Sequence, residues 1–219
     1  MTLGDKVISF YETFEVPANL PQGVSIHNPF DDPARRQTII DFCSHFYGDD
    51  NSRIHIFGIN PSRITPTSTG VNYTDGFALQ NFCGIQNSFS KNRELTSDFF
   101  YRVVHEMGGA EPFFSNIFAW ALMPLSVTKD GKYKNHYDGE LTEALAQLIR
   151  DNFIWTSWLP SNGRAVVLGL GKNRKIFEKL NGELNLYADV KFLPHPRWIM
   201  QYNRDEIDKF IQDYVTALS

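Results

Sequence analysis

Short apolar runs alternate with longer amphipathic stretches along most of this 219-residue chain. Two N-terminal helices are predicted first, over 3–15 and from Asp32-Pro33 to about Tyr47, and hydrophobic periodicity then predicts strands that are each followed by a helix. The predicted strands cover 53–58, 113–118, 164–170 and 186–192, and the helices cover 97–107, 139–153, 172–181 and 204–217. This alternation is typical of a three-layer α/β/α fold, with helices on both faces of a mostly parallel sheet of about four strands.

The apolar content of 42% is enough to bury one substantial core. We therefore interpret residues 1–219 as a single domain in which 1–50 form a helical N-terminal extension. No internal repeat or low-complexity segment suggests a division of the chain.

Cys43 and Cys83 lack the spacing and the companion ligands of a zinc site or an iron–sulfur cluster. The spacing leaves a disulfide open, and reduced thiols are the preferred interpretation. The N-terminus lacks the basic and apolar regions of a signal peptide, and no apolar run is long enough to span a bilayer. We expect a cytoplasmic monomer that needs neither a metal nor a cofactor and that does not bind a membrane.

The net charge of −4 conceals an uneven distribution of charge. Residues 161–204 carry eight Lys/Arg and three acids, a local balance of +5, which leaves −9 for the remainder. A solvated helix face would explain such a segment, and so would a surface that binds phosphates.

Uncharged polar side chains accompany three of the predicted strands. Asn60 follows the first strand, Asn116 lies towards the end of the second, and His195 follows the last. Ligands of open α/β sheets bind at the carboxyl ends of the strands. We therefore expect these three side chains to line one pocket.

The motifs that contain these residues resemble those of the uracil-DNA glycosylase superfamily, and most closely those of its single-strand-selective monofunctional branch. The first motif is GINPS at 58–62, the second is TGVNY at 69–73, the central one is FFSNI at 113–117, and the late one is HPR at 195–197. The resemblance covers roughly 53–200. Ser62 replaces a glycine and the Ser-Pro pair of the late motif is missing, so the resemblance suggests a divergent member.

The resemblance implies that Asn60 and His195 are the catalytic residues. The side-chain carbonyl of Asn60 would orient a water beneath the deoxyribose, and His195 would donate a hydrogen bond to the 2-carbonyl oxygen of the departing uracil. The structural alternatives are that Asn60 caps a turn and that His195 is an ordinary hydrogen-bonded histidine.

The resemblance also implies residues that bind the base. Gly58 and Ile59 would line the base site, Tyr73 would stack on the extruded base, and the Asn116 amide would read the base edge. A core position for Tyr73 and a structural amide for Asn116 are the alternatives.

Residues that would contact DNA are found in the basic segment. Arg197 would clamp a phosphate, Trp198 or Met200 would insert into the base stack, and Lys172 follows a Gly-Leu-Gly turn that could touch a phosphate. Trp198 is equally consistent with ordinary core packing.

The first hypothesis is a monofunctional uracil-DNA glycosylase of base excision repair, which flips uracil, or another deaminated or oxidised base, out of DNA and hydrolyses its glycosidic bond. The alternative is a nonenzymatic nucleotide- or nucleic-acid-binding module of the same fold. A hydrolase of free nucleosides is a third possibility, which would not need the basic segment.

Overall fold

The computed structural model describes residues 1–62 and 65–219, and its helices and strands alternate along the chain. The helices are α1 (Leu3–Thr13), α2 (Pro33–Phe46), α3 (Gly76–Asn81), α4 (Leu95–Glu106), α5 (Ala110–Asn116), α6 (Leu141–Ala144), α7 (Ala146–Thr156), α8 (Lys172–Leu184), α9 (Pro196–Tyr202) and α10 (Ile207–Leu218). The strands are β1 (Val24–His27), β2 (Arg53–Gly58), β3 (Ile117–Ala121), β4 (Ser126–Lys129), β5 (Lys132–Lys134), β6 (Ser161–Leu168) and β7 (Asp189–Leu193).

The main sheet contains four parallel strands in the order β3-β2-β6-β7, which confirms the predicted α/β/α fold. Every residue of β2 is buried, as expected for an interior strand with helices over both faces. Gly58 pairs with Ala121 of β3, and Leu168 of β6 pairs with Leu193 of β7. Because the strands are parallel, their carboxyl ends and the loops that follow them meet at one edge.

A second, antiparallel sheet, β1-β4-β5, was not predicted from the sequence. Its β4–β5 hairpin turns at Asp130-Gly131, where both residues have positive φ (50° and 70°). Asp-Gly is a preferred sequence for such tight turns. The hairpin brings the end of β5 to the carboxyl edge of the main sheet, where the Lys134 carbonyl accepts a hydrogen bond from Asn60.

The predicted strand over 113–118 is wrong. Its first part belongs to α5, which begins after Gly108 and Gly109, both at positive φ, and β3 starts only at Ile117. The apolar run that includes Phe113 and Phe114 is buried in a helix, and a short buried helix cannot be distinguished from a strand by periodicity alone.

The N-terminal helices share the core of the rest of the chain. Leu3, Val7 and Tyr11 of α1 are buried in the same hydrophobic cluster as the sheet strands. At the start of β2, the fully buried Arg53 guanidinium pairs with Asp49 at 2.8 Å, so the chain between α2 and the sheet is fixed at the amino edge.

Candidate active site at the carboxyl edge of the sheet

Asn60 lies two residues beyond β2, and its amide is held at both ends by the last residue of β5 and the segment that follows it. Its Nδ2 donates to the Lys134 carbonyl at 3.1 Å, and its Oδ1 accepts from the His136 main-chain N–H at 3.2 Å. The Tyr133 hydroxyl lies beside this amide and donates to Asn135 Oδ1 at 3.1 Å. Since a carbonyl oxygen has two lone pairs, Oδ1 retains one acceptor site for a further donor.

His136 is a site residue that the sequence did not indicate. Its side chain is fully buried, and neither ring nitrogen has a hydrogen-bond partner within the described part of the chain. Burial lowers the pKa of His136 to about 4, although the Ile59 main chain and Asp138 act in the opposite direction. The imidazole is therefore neutral at pH 7, and its acceptor nitrogen has no hydrogen-bond partner in the described part of the chain, while the main chain of the same residue is bonded to Asn60.

His195 lies beyond the end of β7 and caps α9. Its Nδ1 accepts a hydrogen bond from the Arg197 main-chain N–H at 3.2 Å, which places the ring proton on Nε2. Burial, with a contribution from the Arg197 charge, lowers the pKa of His195 to about 4. His195 is thus a neutral donor through Nε2, which suits an oxygen on which negative charge develops.

Asn60 and His195 follow strands that are separated by β6 alone. Strands two positions apart in a sheet are about 10 Å apart, a distance that a nucleotide can bridge. The structure thus brings the two predicted catalytic residues to the same edge of the sheet.

Tyr73 also reaches this edge, close to Gly58. Its hydroxyl donates to the Trp120 carbonyl at 3.2 Å, and one face of its ring stacks on Phe100 with a centroid separation of 4.7 Å. Ile59, another of the predicted base contacts, is partly buried and accepts a main-chain hydrogen bond from Met123.

The expected position of Asn116 is wrong. This residue ends α5 and precedes β3, so it lies at the amino edge, opposite Asn60 and His195. It is exposed, and its Nδ2 donates to the Pro112 carbonyl at 2.9 Å. The misplaced strand caused this error, because a shift of the strand start from 113 to 117 moves Asn116 to the other end of the sheet.

The predicted DNA contacts separate into exposed and buried residues. Arg197 and Lys172 are exposed at the carboxyl edge, and Trp198 retains 47% of its surface in solvent. Met200 is only 4% exposed and packs in the core, so it cannot serve as an inserting residue without leaving that core. Lys172 Nζ donates to the Tyr137 carbonyl at 3.3 Å and thereby connects α8 to the segment that holds Asn60.

Two buried amides that the sequence did not single out fix the strand ends. Asn173, in the first turn of α8, donates to the carbonyls of Leu168 (3.0 Å) and Gly58 (3.3 Å). Asn152 of α7 donates to the carbonyls of Ala121 and Leu122. Asparagine in a helix gives no periodic signal, so tertiary contacts alone reveal these roles.

A small apolar cavity of about 30 Å³ lies between α1, α2 and β3 and is lined by neither Asn60 nor His195. It has room for a water but not for a base. Within residues 1–62 and 65–219, no three His, Cys, Asp or Glu side chains are grouped as metal ligands. No helix in the same residues is both long and apolar enough to cross a membrane.

Comparison with known proteins identifies a family and a similar solved structure. The family model of the uracil DNA glycosylase superfamily matches residues 45–219. The crystal structure of wild-type SMUG2 from Pedobacter heparinus is similar to the chain with a TM-score of 0.92 at 33% sequence identity, over 99% of this chain and 97% of that one. No curated protein matches. Because the structural match includes α1 and α2, the N-terminal helices are part of the shared fold.

Proposed function

Because the chain belongs to the uracil-DNA glycosylase superfamily, in a SMUG-like branch, and is a DNA glycosylase, we propose that it excises uracil from DNA with water as the only nucleophile. The observation that carries this proposal is the placement of Asn60 and a neutral, Nε2-protonated His195 at the ends of parallel strands on one edge. This pair matches the charges that develop when the glycosidic bond breaks.

The departing uracil takes the electron pair of the glycosidic bond, so positive charge develops on the sugar and negative charge on the base. His195 Nε2–H donates to the 2-carbonyl oxygen and stabilises that negative charge. Because His195 is already neutral, the bond forms without a change in its protonation.

Water then adds to C1′ of the sugar and loses one proton, and the uracil anion gains one. The free lone pair of Asn60 Oδ1 and an unpaired nitrogen of His136 supply the contacts that orient this water. Asn60 has no proton to exchange, so its contribution is the position of the water. A buried histidine nitrogen without a hydrogen-bond partner reduces the stability of the folded chain, and a bound water or substrate would supply that hydrogen bond.

The test is incubation of the protein with single- and double-stranded oligonucleotides that contain one uracil. Excision leaves an abasic site, so the strand breaks only after alkali. Borohydride added during the reaction traps no covalent adduct when water is the nucleophile. Strand breakage without alkali, or a trapped adduct, would contradict this mechanism.

One observation favours the nonenzymatic alternative. Asn116, which was expected to read the base edge, lies at the amino edge of the sheet. The β3 residue that pairs with Gly58 at the carboxyl edge is Ala121, whose side chain has no hydrogen-bonding group. A module that binds DNA without cleaving it needs no reader of the base edge. Tight binding of the uracil oligonucleotide without abasic sites would support this second function.

A further inference from the structure

The turn between β6 and α8 lies at the centre of the candidate site. β6 is the strand between β2 and β7, and the Gly169 N–H donates to the Leu193 carbonyl at 2.8 Å. On the other side, a β-carbon built at residue 169 would lie 3.9 Å from Ile59 Cδ1. The turn therefore lies beside Ile59, the residue before Asn60, and is hydrogen-bonded to the strand that leads to His195.

This turn presents an exposed leucine. Leu170 has 53% of its surface in solvent and stands between Gly169 and Gly171. A β-carbon at residue 171 would meet no atom within 4 Å, so the space around the turn is open. The Asn173 amide, in the helix that follows the turn, donates hydrogen bonds to the last residues of both β6 and β2. The leucine is thus held outwards on a fixed support.

Cations and a second apolar side chain surround the turn. Lys172 and Arg197 are exposed, and neither has an acidic partner among the described residues. Trp198 is 47% exposed in the first turn of α9, beyond the neighbouring strand. Apolar side chains among cations without acidic partners suit a ligand with an anionic backbone and an apolar stacked interior, as in duplex DNA.

We propose that Leu170 inserts into the base stack of duplex DNA beside the extruded nucleotide, as a second wedge next to Trp198. Insertion would bury the leucine and offset part of the unstacking that base extrusion requires. A single strand needs no unpairing, so the leucine matters most on a duplex. This inference rests on the proposed function in one respect, that the ligand is DNA.

The experiment compares Leu170→Ala with Trp158→Ala. Trp158 is 70% exposed and lies before β6, at the amino edge, so it is a matched control for loss of an exposed apolar side chain. For Leu170→Ala we expect kcat/KM on uracil in a duplex to fall about tenfold and kcat/KM on a single strand to change less than about twofold. Trp158→Ala should leave both unchanged.

An equal loss on duplex and single strand, no loss on the duplex, or the same loss in Trp158→Ala would overturn the proposal.

A second readout separates this inference from the proposed function. A duplex with 2-aminopurine next to the target position reports unstacking by increased fluorescence when protein binds, without excision. The unmutated protein should increase the fluorescence and Leu170→Ala should lose most of the increase. If uracil is not excised but this difference persists, the proposed reaction is wrong and the proposed insertion of Leu170 is supported. If excision is normal and both proteins give the same fluorescence, the proposed insertion of Leu170 is wrong and the proposed reaction stands.

Discussion

The Tyr73 hydroxyl occupies the space in which a β-carbon on residue 58 would lie. A β-carbon built at Gly58 would be 2.0 Å from that oxygen. Tyr73 itself has a left-handed backbone, with φ of 59°, which costs a non-glycine residue about 1–2 kcal/mol. Its hydrogen bond to Trp120 and its stacking on Phe100 offset this cost. The absence of a side chain at Gly58 thus lets Tyr73 join the ends of β2 and β3 just before Asn60.

We predict that Gly58→Ala and Tyr73→Phe are strongly coupled. Gly58→Ala should lower the free energy of unfolding by about 2–3 kcal/mol through overpacking, and Tyr73→Phe by about 1 kcal/mol through loss of the hydrogen bond. The double variant should lose less than the sum, because Phe lacks the clashing oxygen. Urea unfolding of all four proteins measures the coupling, and additive losses would contradict this account.

Asn60→Ala should reduce single-turnover excision of uracil by at least about 100-fold, because the water loses its orienting carbonyl. The free energy of unfolding should fall by only about 1–3 kcal/mol, since the His136 N–H loses its acceptor. The matched control is Asn116→Ala, which removes an exposed amide at the opposite edge. If Asn116→Ala lost comparable activity, the assignment of the site to the carboxyl edge would be wrong.

The pH profile of excision should be flat through the range in which a free histidine titrates. The pKa of His195 is about 4, so the neutral donor is fully present at pH 7 and is lost only as the pH falls towards 4. Protonation there places a proton on Nδ1, which then cannot accept from the Arg197 N–H. We expect single-turnover rates to be constant from about pH 8 to about pH 5.5. A drop centred near 6.5 that His195→Gln abolishes would show that the histidine titrates normally.

Stability should decrease in acid because burial keeps His195 and two fully buried histidines neutral in the folded chain. His55 bonds to the Tyr187 hydroxyl and the Pro160 carbonyl, and burial lowers its pKa to about 4, the same value as for His136. The unfolded chain, in which a histidine has a pKa near 6.5, binds more protons between about pH 6.5 and 4. The stabilisation from the neutral rings is therefore complete above pH 6.5 and is lost as the pH falls to 4.

Urea unfolding at several pH values should show a loss of a few kcal/mol across that range. The loss should be smaller in His136→Asn and unchanged in His105→Asn, which alters an exposed histidine. Stability that does not change between pH 6.5 and 4 would mean that these rings are not held neutral.

Trp198→Ala and Met200→Ala should have different consequences although they lie in the same short helix. Trp198 is half exposed, so its loss should weaken binding to duplex DNA severalfold and leave the free energy of unfolding within about 0.5 kcal/mol. Met200 is buried, so its loss should reduce stability by about 2–4 kcal/mol. Titration of labelled duplex and urea unfolding measure the two effects. A large stability loss in Trp198→Ala would assign that ring to the core.

The order of the four strands of the main sheet was readable from the sequence because each of them carries its own apolar signal. The apolar run that ends at Gly58, Asn60 beyond it, and the proline-flanked His195 are local patterns, and they sufficed to place both residues at strand ends on one edge of a parallel sheet. The resemblance to the superfamily rested on the same short motifs. Periodicity was ambiguous at Phe113 and Phe114, which are buried in a helix, and this one ambiguity moved Asn116 to the wrong end of the sheet.

Tertiary structure alone decided which other groups meet Asn60. The β4–β5 hairpin brings Lys134 and His136, more than seventy positions away, onto its amide, and no pattern around residue 136 distinguishes that histidine from the other five in the chain. The pKa of His136 is lowered because tertiary packing buries its side chain away from water. The outward position of Leu170 depends on the buried amide of Asn173, which fixes the turn after β6. Local preference determines where a strand ends, because backbone conformation depends on nearby residues. Long-range packing determines what fills the space beyond the strand end.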